Sequence, residues 1–399
     1  MLAERTTRIS SSPTMKGLIA AERLRQAGVD VVDLSAGEPD FPTPAHVKEA
    51  AHAAITGNFT KYTPNSGTTE LKRVIAARYK ADYEVDYDEA EIIVTAGGKQ
   101  ALVNAALTVF GPGDEVITHS PGWPTIVEQI KLAEATPVIV TASPDDGFAL
   151  RADPFLAAIT PRTRAIVINS PANPTGALMT EGEMIRIADA AAARGIWVIL
   201  DLCYEKLIYD PAAHNLPRVL VERMRDRTIL TGSASKAYAM TGWRCGWLLA
   251  SREVVAACNA IQSHSTSNVC SITQKAVVAA LGGPQQCVTD MLDEYRRRRD
   301  FIWALLSTDP RLVCARPAGA FYLFVDVSAL LSPDGLRTSA AFCQALLETK
   351  HVVVTAGEAF DAPGFFRVSY AASMERLEEA ARRIHAFIGD LDAGVHPPA

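Results

Sequence analysis

The 399-residue chain has no Cys-x-x-Cys pair, and its seven cysteines are scattered. An odd, unpatterned set argues against a disulfide framework or a thiolate metal site, and for core packing in a reducing compartment. No apolar run approaches the about twenty residues of a membrane span. There is no basic stripe. A net charge of −6 argues against nucleic acid as the main partner. No apolar segment follows the charges of Met1-Leu-Ala-Glu-Arg-Thr-Thr-Arg8, so a signal peptide is not expected. Asn58-Phe-Thr60 fits a glycosylation sequon, which without a secretory signal reads as chance. Internal repeats and low-complexity tracts are missing too. The sequence therefore reads as a cytoplasmic protein with no metal, membrane or nucleic-acid partner.

What is present is an ordinary globular composition, 48% hydrophobic and 21% charged, in a chain long enough for two domains. An N-terminal arm and a helix from Gly17 end near Gly28. Val31-Val-Asp-Leu follows as a short strand running into the turn Ser35-Ala-Gly-Glu-Pro-Asp-Phe41. A helical pattern begins near residue 45 and is interrupted by the loop Lys61-Tyr-Thr-Pro-Asn-Ser-Gly67.

Short apolar runs then alternate with helical segments: Ile92–Thr95, Glu115–Thr118, Pro137–Val140, Ala165–Ile168, Ile196–Leu200 and Thr228–Thr231, with Cys245–Ala250 as one more. Such runs predict an α/β fold whose mostly parallel sheet is buried between helices. After about residue 285 the pattern changes to a charged helix, strands near Phe321–Val325 and Phe366–Tyr370, and a last amphipathic helix. The expected division is an arm and part of a small domain (1–45), a large domain (46–290) and a smaller α+β domain (291–399).

In open parallel sheets, ligands bind beyond the carboxyl ends of the strands. The run 92–95 is followed by Gly97-Gly98-Lys99 at a helix start, where free N–H groups suit an anion, although Gly-Gly before a helix is common. Trp123 follows the next run and fits either stacking on a flat ring or packing. Asn169-Ser-Pro-Ala-Asn173-Pro-Thr-Gly176 reads as a turn, or as a rigid mount for Asn173 facing a phenolate-like oxygen. Asp201, leaving a buried strand, needs a partner. A salt bridge or cap would serve, as would a pyridine nitrogen, and Tyr204 is then in reach of the same ring.

The run 228–231 leads into Ser233-Ala-Ser-Lys-Ala-Tyr-Ala-Met-Thr-Gly-Trp-Arg244. A desolvated lysine condenses with a carbonyl, and two serines with an arginine suit a phosphate. Lys236 for an aldehyde and Ser233, Ser235 and Arg244 for a phosphate describe pyridoxal 5'-phosphate. A surface lysine in a serine-rich loop fits this stretch alone equally well, but five strand ends each offering one part of a single site favour the cofactor.

These motifs, with Ala36-Gly-Glu-Pro-Asp-Phe41, Lys61-Tyr62 and Phe366-Arg367-Val-Ser-Tyr370, resemble fold-type I pyridoxal-phosphate aminotransferases of class I/II. The likeness spans nearly the whole chain and is greatest to the bacterial branch of aspartate and prephenate aminotransferases. It implies catalytic roles for Lys236 (the Schiff-base lysine and proton carrier), Asp201 (pairing with the pyridinium) and Tyr204. Tyr204 and Asn173 would hold the cofactor's phenolic oxygen, and Trp123 would stack on its ring. Gly98, Lys99, Ser233, Ser235 and Arg244 would hold the phosphate, with Gly98 and Lys99 contributing backbone groups. Tyr62 would reach the phosphate of a neighbouring subunit, which implies a homodimer with shared active sites. Arg367 would bind the substrate α-carboxylate, and Gly37, Trp123 and Asn173 would lie beside the substrate.

The activity so implied is transfer of an amino group between L-aspartate and 2-oxoglutarate, with prephenate as a further oxo acid. Cofactor residues alone also fit an aminotransferase for an aromatic amino acid, alanine or kynurenine, or a lyase on the same scaffold. Ala172 and Leu202 depart from the Asn and Glu usual in the family, leaving Asn173 and Asp201 in place. No arginine for a side-chain carboxylate is evident; Ser12, Thr14 and Lys16 are candidates.

Overall fold

The apolar runs are buried on both faces, and their alternate residues face opposite ways. Ile92, Val94, Ile117, Ile166, Ile168, Val198, Leu200, Leu230, Trp247 and Leu249 point into one hydrophobic cluster. Their neighbours Ile93, Val116, Ala165, Val167, Ile199, Ile229 and Leu248 point into another. This period of two places one buried sheet between two helical layers.

A computed structural model describes residues 2–10, 15–210, 214–333 and 335–395. The strands are β1 (Val32–Asp33), β2 (Ile92–Thr95), β3 (Glu115–Ser120), β4 (Thr136–Thr141), β5 (Thr163–Asn169), β6 (Trp197–Asp201), β7 (Thr228–Ser233) and β8 (Gly246–Leu249). Beyond them lie β9 (Tyr322–Asp326), β10 (Val352–Val353), β11 (Thr355–Ala356) and β12 (Phe365–Ser369). Seven strands form the main sheet in the order β2-β8-β7-β6-β5-β3-β4. All neighbours are parallel except β8, which runs antiparallel to both β2 and β7.

Several helices start where a hydroxyl satisfies a free N–H. Thr68 accepts from Leu71 ahead of Thr69–Tyr83, Thr180 from Glu183 ahead of Glu181–Ala192, and Ser373 from Arg376 ahead of Met374–Asp392. The strands lie where the apolar runs place them, and β3 to β7 each continue one or two residues further: β7 runs to Ser233, and Lys236 stands in the short helix Ala234–Ala237 that follows.

A third cluster joins Val32 and Leu34 to Tyr295, Ile302, Phe321, Leu346, Phe366 and Ile384. Around it stand the antiparallel sheet β11-β12-β9 and the helices Gln286–Leu306, Ser339–Lys350 and Met374–Asp392. β1 pairs in parallel with β10 and so ties the N-terminal segment here. The helix Gln286–Leu306 bridges two of these cores, with Val288 in the first cluster and Met291 in the third. Among the described residues, no helix is long and apolar enough to cross a membrane.

Candidate active site

The ends of β5, β6 and β7 open onto a cavity of about 310 Å³. Of the residues that the resemblance assigns to cofactor or substrate, all line it except Tyr62. Tyr62 sits in the turn before the helix Thr69–Tyr83, 92% exposed to solvent. Ser12, Thr14 and the side chain of Lys16 lie outside the described residues.

One end of the cavity is built to receive an anion. The helix Gly98–Val109 starts there, and Gly97 before it has φ +85°. A Cβ on Gly97 would come within 2.6 Å of the Arg244 guanidinium. One on Gly246 would strike the Gly97–Gly98 backbone at 2.5 Å. Glycines at both positions thus let Arg244, the helix N-terminus and Ser233 converge. A Cβ on Gly98 would already stand 3.8 Å from the Ser233 hydroxyl. Arg244 is itself held by donation from Nη1 to the Thr241 carbonyl at 2.8 Å. Ser233 and Ser235 are buried.

Lys236 donates its Nζ to the Gly37 carbonyl. Burial pushes this ammonium down from its ordinary value, and Arg367 and Arg244 act in the same direction against Cys203 and Glu38. Asp201 is 3% exposed at the end of β6. Its Oδ1 accepts from the Cys203 N–H at 3.1 Å and its Oδ2 from Asn169 Nδ2 at 3.0 Å. Burial nevertheless raises its carboxyl to about 7, against the hydrogen bonds that favour the anion. Tyr204 shares a hydrogen bond with Tyr322, hydroxyl to hydroxyl, at 2.8 Å.

Opposite, β12 delivers Arg367, 4% exposed. Nη1 donates to Asn173 Oδ1 at 2.9 Å and Nη2 to the Ser35 carbonyl at 2.8 Å, while the buried Nε has no partner. The guanidinium lies 4.2 Å from the centroid of the Tyr322 ring and 5.0 Å from that of Phe360. Trp123 forms another wall, and the ammonium of Lys99 stands 5.1 Å from its ring centroid. Burial, then Arg244, pushes the Lys99 ammonium down.

The sequence reading missed three features. The sequence places Tyr322 only within the strand near Phe321–Val325, yet its hydroxyl reaches Tyr204 and its ring carries Arg367. Asn169 was read as the start of a turn, and its amide reaches Asp201. Lys99 was read for its backbone, and its ammonium stands in the cavity. No local signal marks Tyr322; for Lys99, a cation placed one residue past a Gly-Gly helix start was itself the signal.

A sequence model of the family described as aminotransferase class I and II matches residues 29–384. The aspartate aminotransferase of Geobacillus stearothermophilus is 39% identical over 387 residues, covering 97% of this chain and 98% of that protein. The aspartate/prephenate aminotransferase of Cereibacter sphaeroides is 40% identical over 396 residues, covering 98% and 99%. The crystal structure of the Rhizobium meliloti aspartate aminotransferase superposes with a TM-score of 0.93 at 39% identity, covering 98% of this chain and 99% of that one. This chain belongs to the class I and II aminotransferases.

Proposed function

We propose that this protein transfers the amino group of L-aspartate to 2-oxoglutarate, giving oxaloacetate and L-glutamate, with pyridoxal 5'-phosphate as cofactor. The observation that carries the reading is the set of four cations around one cavity: Lys99, Lys236, Arg244 and Arg367. Each has a separate task if the site holds a phosphorylated aldehyde and a dicarboxylic amino acid.

The residues present fit that cofactor. Backbone N–H groups at Gly98 and Lys99, with Ser233, Ser235 and Arg244, form the cradle that a side chain on Gly97 would fill. Asp201 supplies an acid for the pyridine nitrogen, Tyr204 and Asn173 supply donors for the phenolic oxygen, and Trp123 offers an aromatic wall. When bound, pyridoxal phosphate supplies an exchangeable carbonyl and a protonated ring that draws electrons from the substrate Cα.

Lys236 would hold the cofactor's carbonyl until substrate arrives. Its depressed basicity would then suit it to take the proton from the substrate Cα and deliver it to the cofactor's former aldehyde carbon. Asp201, ionised, would keep the ring nitrogen protonated. Arg367 receives the α-carboxylate: its Nε is unsatisfied in the buried site, and its stacking on Tyr322 and Phe360 fixes the plane of the fork. Lys99 is the cation left for the second carboxylate of aspartate or 2-oxoglutarate. The relative named for prephenate as well as aspartate supports prephenate as a further oxo acid.

The assembly that fits is a homodimer in which the exposed Tyr62 serves the partner's site. All seven cysteines are unpaired, which supports a reducing, cytoplasmic setting. The separation of the clusters that flank the main sheet from the one around β9 and β12 supports a division into a large and a small domain near residues 45 and 290.

The test is a half-reaction. Cofactor-loaded protein is mixed with L-aspartate and, separately, with L-phenylalanine while visible absorbance is followed. Rapid loss of the cofactor's aldehyde-form absorbance with aspartate, and slow loss with phenylalanine, is expected. No change with aspartate overturns the substrate assignment.

A further inference from the structure

Asn169 is the last residue of β5, and the parallel pairing of β5 with β6 sets it directly beside Asp201. The side chain is buried, 1% exposed. Nδ2 donates to Asp201 Oδ2 at 3.0 Å, and Oδ1 accepts from the backbone N–H of Asn173 at 3.0 Å. The partners fix the amide's orientation, because the flipped form would set oxygen against carboxylate and NH2 against N–H. A hydroxyl at this position is too short to reach both partners, and a carboxylate has no donor for Asp201.

We propose that Asn169 is a positioning residue for the reaction described above, holding the Asp201 carboxylate in the orientation and ionisation state that a protonated pyridine nitrogen requires. The inference rests on the reading of Asp201 as partner of that nitrogen. Asn169 acts from two sides. Its donor fixes one carboxylate oxygen while the Cys203 N–H fixes the other, so the carboxylate plane cannot swing. Its acceptor ties the same rigid group to Asn173, whose own amide oxygen receives Arg367. A single hydrogen-bond chain therefore runs from the acid at the cavity floor to the arginine opposite. Buried chains of this kind work only when each member is satisfied.

The donation also opposes the desolvation of Asp201. Without it the acid stays protonated to higher pH, and a neutral Asp201 cannot stabilise a pyridinium. A purely structural role would give no such dependence on the ring nitrogen.

The experiment compares cofactor-free wild type with Asn169→Leu, which keeps the branched shape and loses both bonds. Each is titrated with pyridoxal phosphate and with its carbocyclic analogue, in which CH replaces the ring nitrogen, using tryptophan fluorescence as the signal. The variant is expected to bind pyridoxal phosphate about tenfold more weakly, the worth of one hydrogen bond to a charged group, and the analogue less than about twofold more weakly. The loss relative to wild type should shrink between pH 7 and 9 as Asp201 ionises. If the leucine variant does not accumulate as soluble protein, Asn169→Ser is read in the same way. Equal losses for both compounds, with the wild-type preference for pyridoxal phosphate intact, overturn this inference alone. A wild type that binds the two compounds equally overturns the role of Asp201 and takes this inference with it.

Discussion

Arg367 donates through Nη1 to Asn173 Oδ1 at 2.9 Å, joining strand β12 to the loop that follows β5. The bond crosses from the third hydrophobic cluster, around β12, to the main sheet. It also leaves the arginine with one buried nitrogen, Nε, that has no partner. A guanidinium pinned by Asn173 and by the Ser35 carbonyl, and stacked on Tyr322, has lost most of its conformational freedom before any ligand arrives. Such a group recognises a carboxylate at little further cost in entropy.

Arg367→Lys tests that preorganisation. Lysine keeps the charge but offers no planar fork and cannot hold Asn173, Ser35 and a carboxylate together. The loss of one charge-assisted bond, about 2 kcal/mol, corresponds to roughly a thirtyfold fall in kcat/KM for aspartate. Steady-state kinetics checks this, and an unchanged kcat/KM would move the α-carboxylate away from Arg367.

Gly97→Ala tests the anion cradle. The new Cβ would stand 2.6 Å from Arg244 Nη2, on a residue with φ +85°. That conformation costs a side chain about 1–3 kcal/mol, and the arginine must swing out of place. Titration of the cofactor-free variant with pyridoxal phosphate should give at least about tenfold weaker binding. Wild-type affinity would mean that Arg244 does not contribute.

Much of this site was legible because the sheet is buried on both faces. That burial makes each strand a short apolar run, and the first polar residues after the run mark the strand's carboxyl end. Asp201, Asn173 and Lys236 were found in this way. The direction of β8 was not legible: Gly246–Leu249 is equally apolar read either way, and only its pairing with β2 and β7 shows it antiparallel. Tyr322 was hidden for a related reason. Its strand belongs to the other sheet, and the approach of its hydroxyl to Tyr204 spans 118 residues of sequence. Local periodicity carries no record of such a contact.

The raised carboxyl of Asp201, at about 7, has a consequence for the cofactor-free protein. In the unfolded chain an aspartate ionises near pH 3.9. Between about pH 4 and 7 the folded state therefore holds a proton that the unfolded state has released, so stability falls as pH rises through that window. Asp201→Asn removes the penalty. Urea unfolding of cofactor-free proteins should find the variant more stable than wild type by about 4 kcal/mol at pH 8, with the difference narrowing toward pH 5. A pH-independent difference would show that Asp201 ionises normally.

In the proposed reaction Lys99 is the cation that selects the substrate class. With Arg367 assigned to the α-carboxylate, Arg244 to the phosphate and Lys236 to the carbonyl, a second carboxylate needs a cation of its own. The Lys99 ammonium stands in the cavity beside Trp123, on the first turn of the helix Gly98–Val109. Lys99→Gln keeps a polar, unbranched side chain but removes the charge. It should lower kcat/KM for L-aspartate and L-glutamate by roughly ten- to a hundredfold, the range for one charge-assisted contact, and leave L-alanine within about twofold. Burial and Arg244 lower the basicity of this ammonium. It therefore loses its charge earlier than an ordinary lysine as pH rises, so the wild-type preference for aspartate over alanine should decline on the alkaline side and be flat in the variant. An equal loss for alanine would assign Lys99 to the phosphate and leave the second carboxylate to the N-terminal arm.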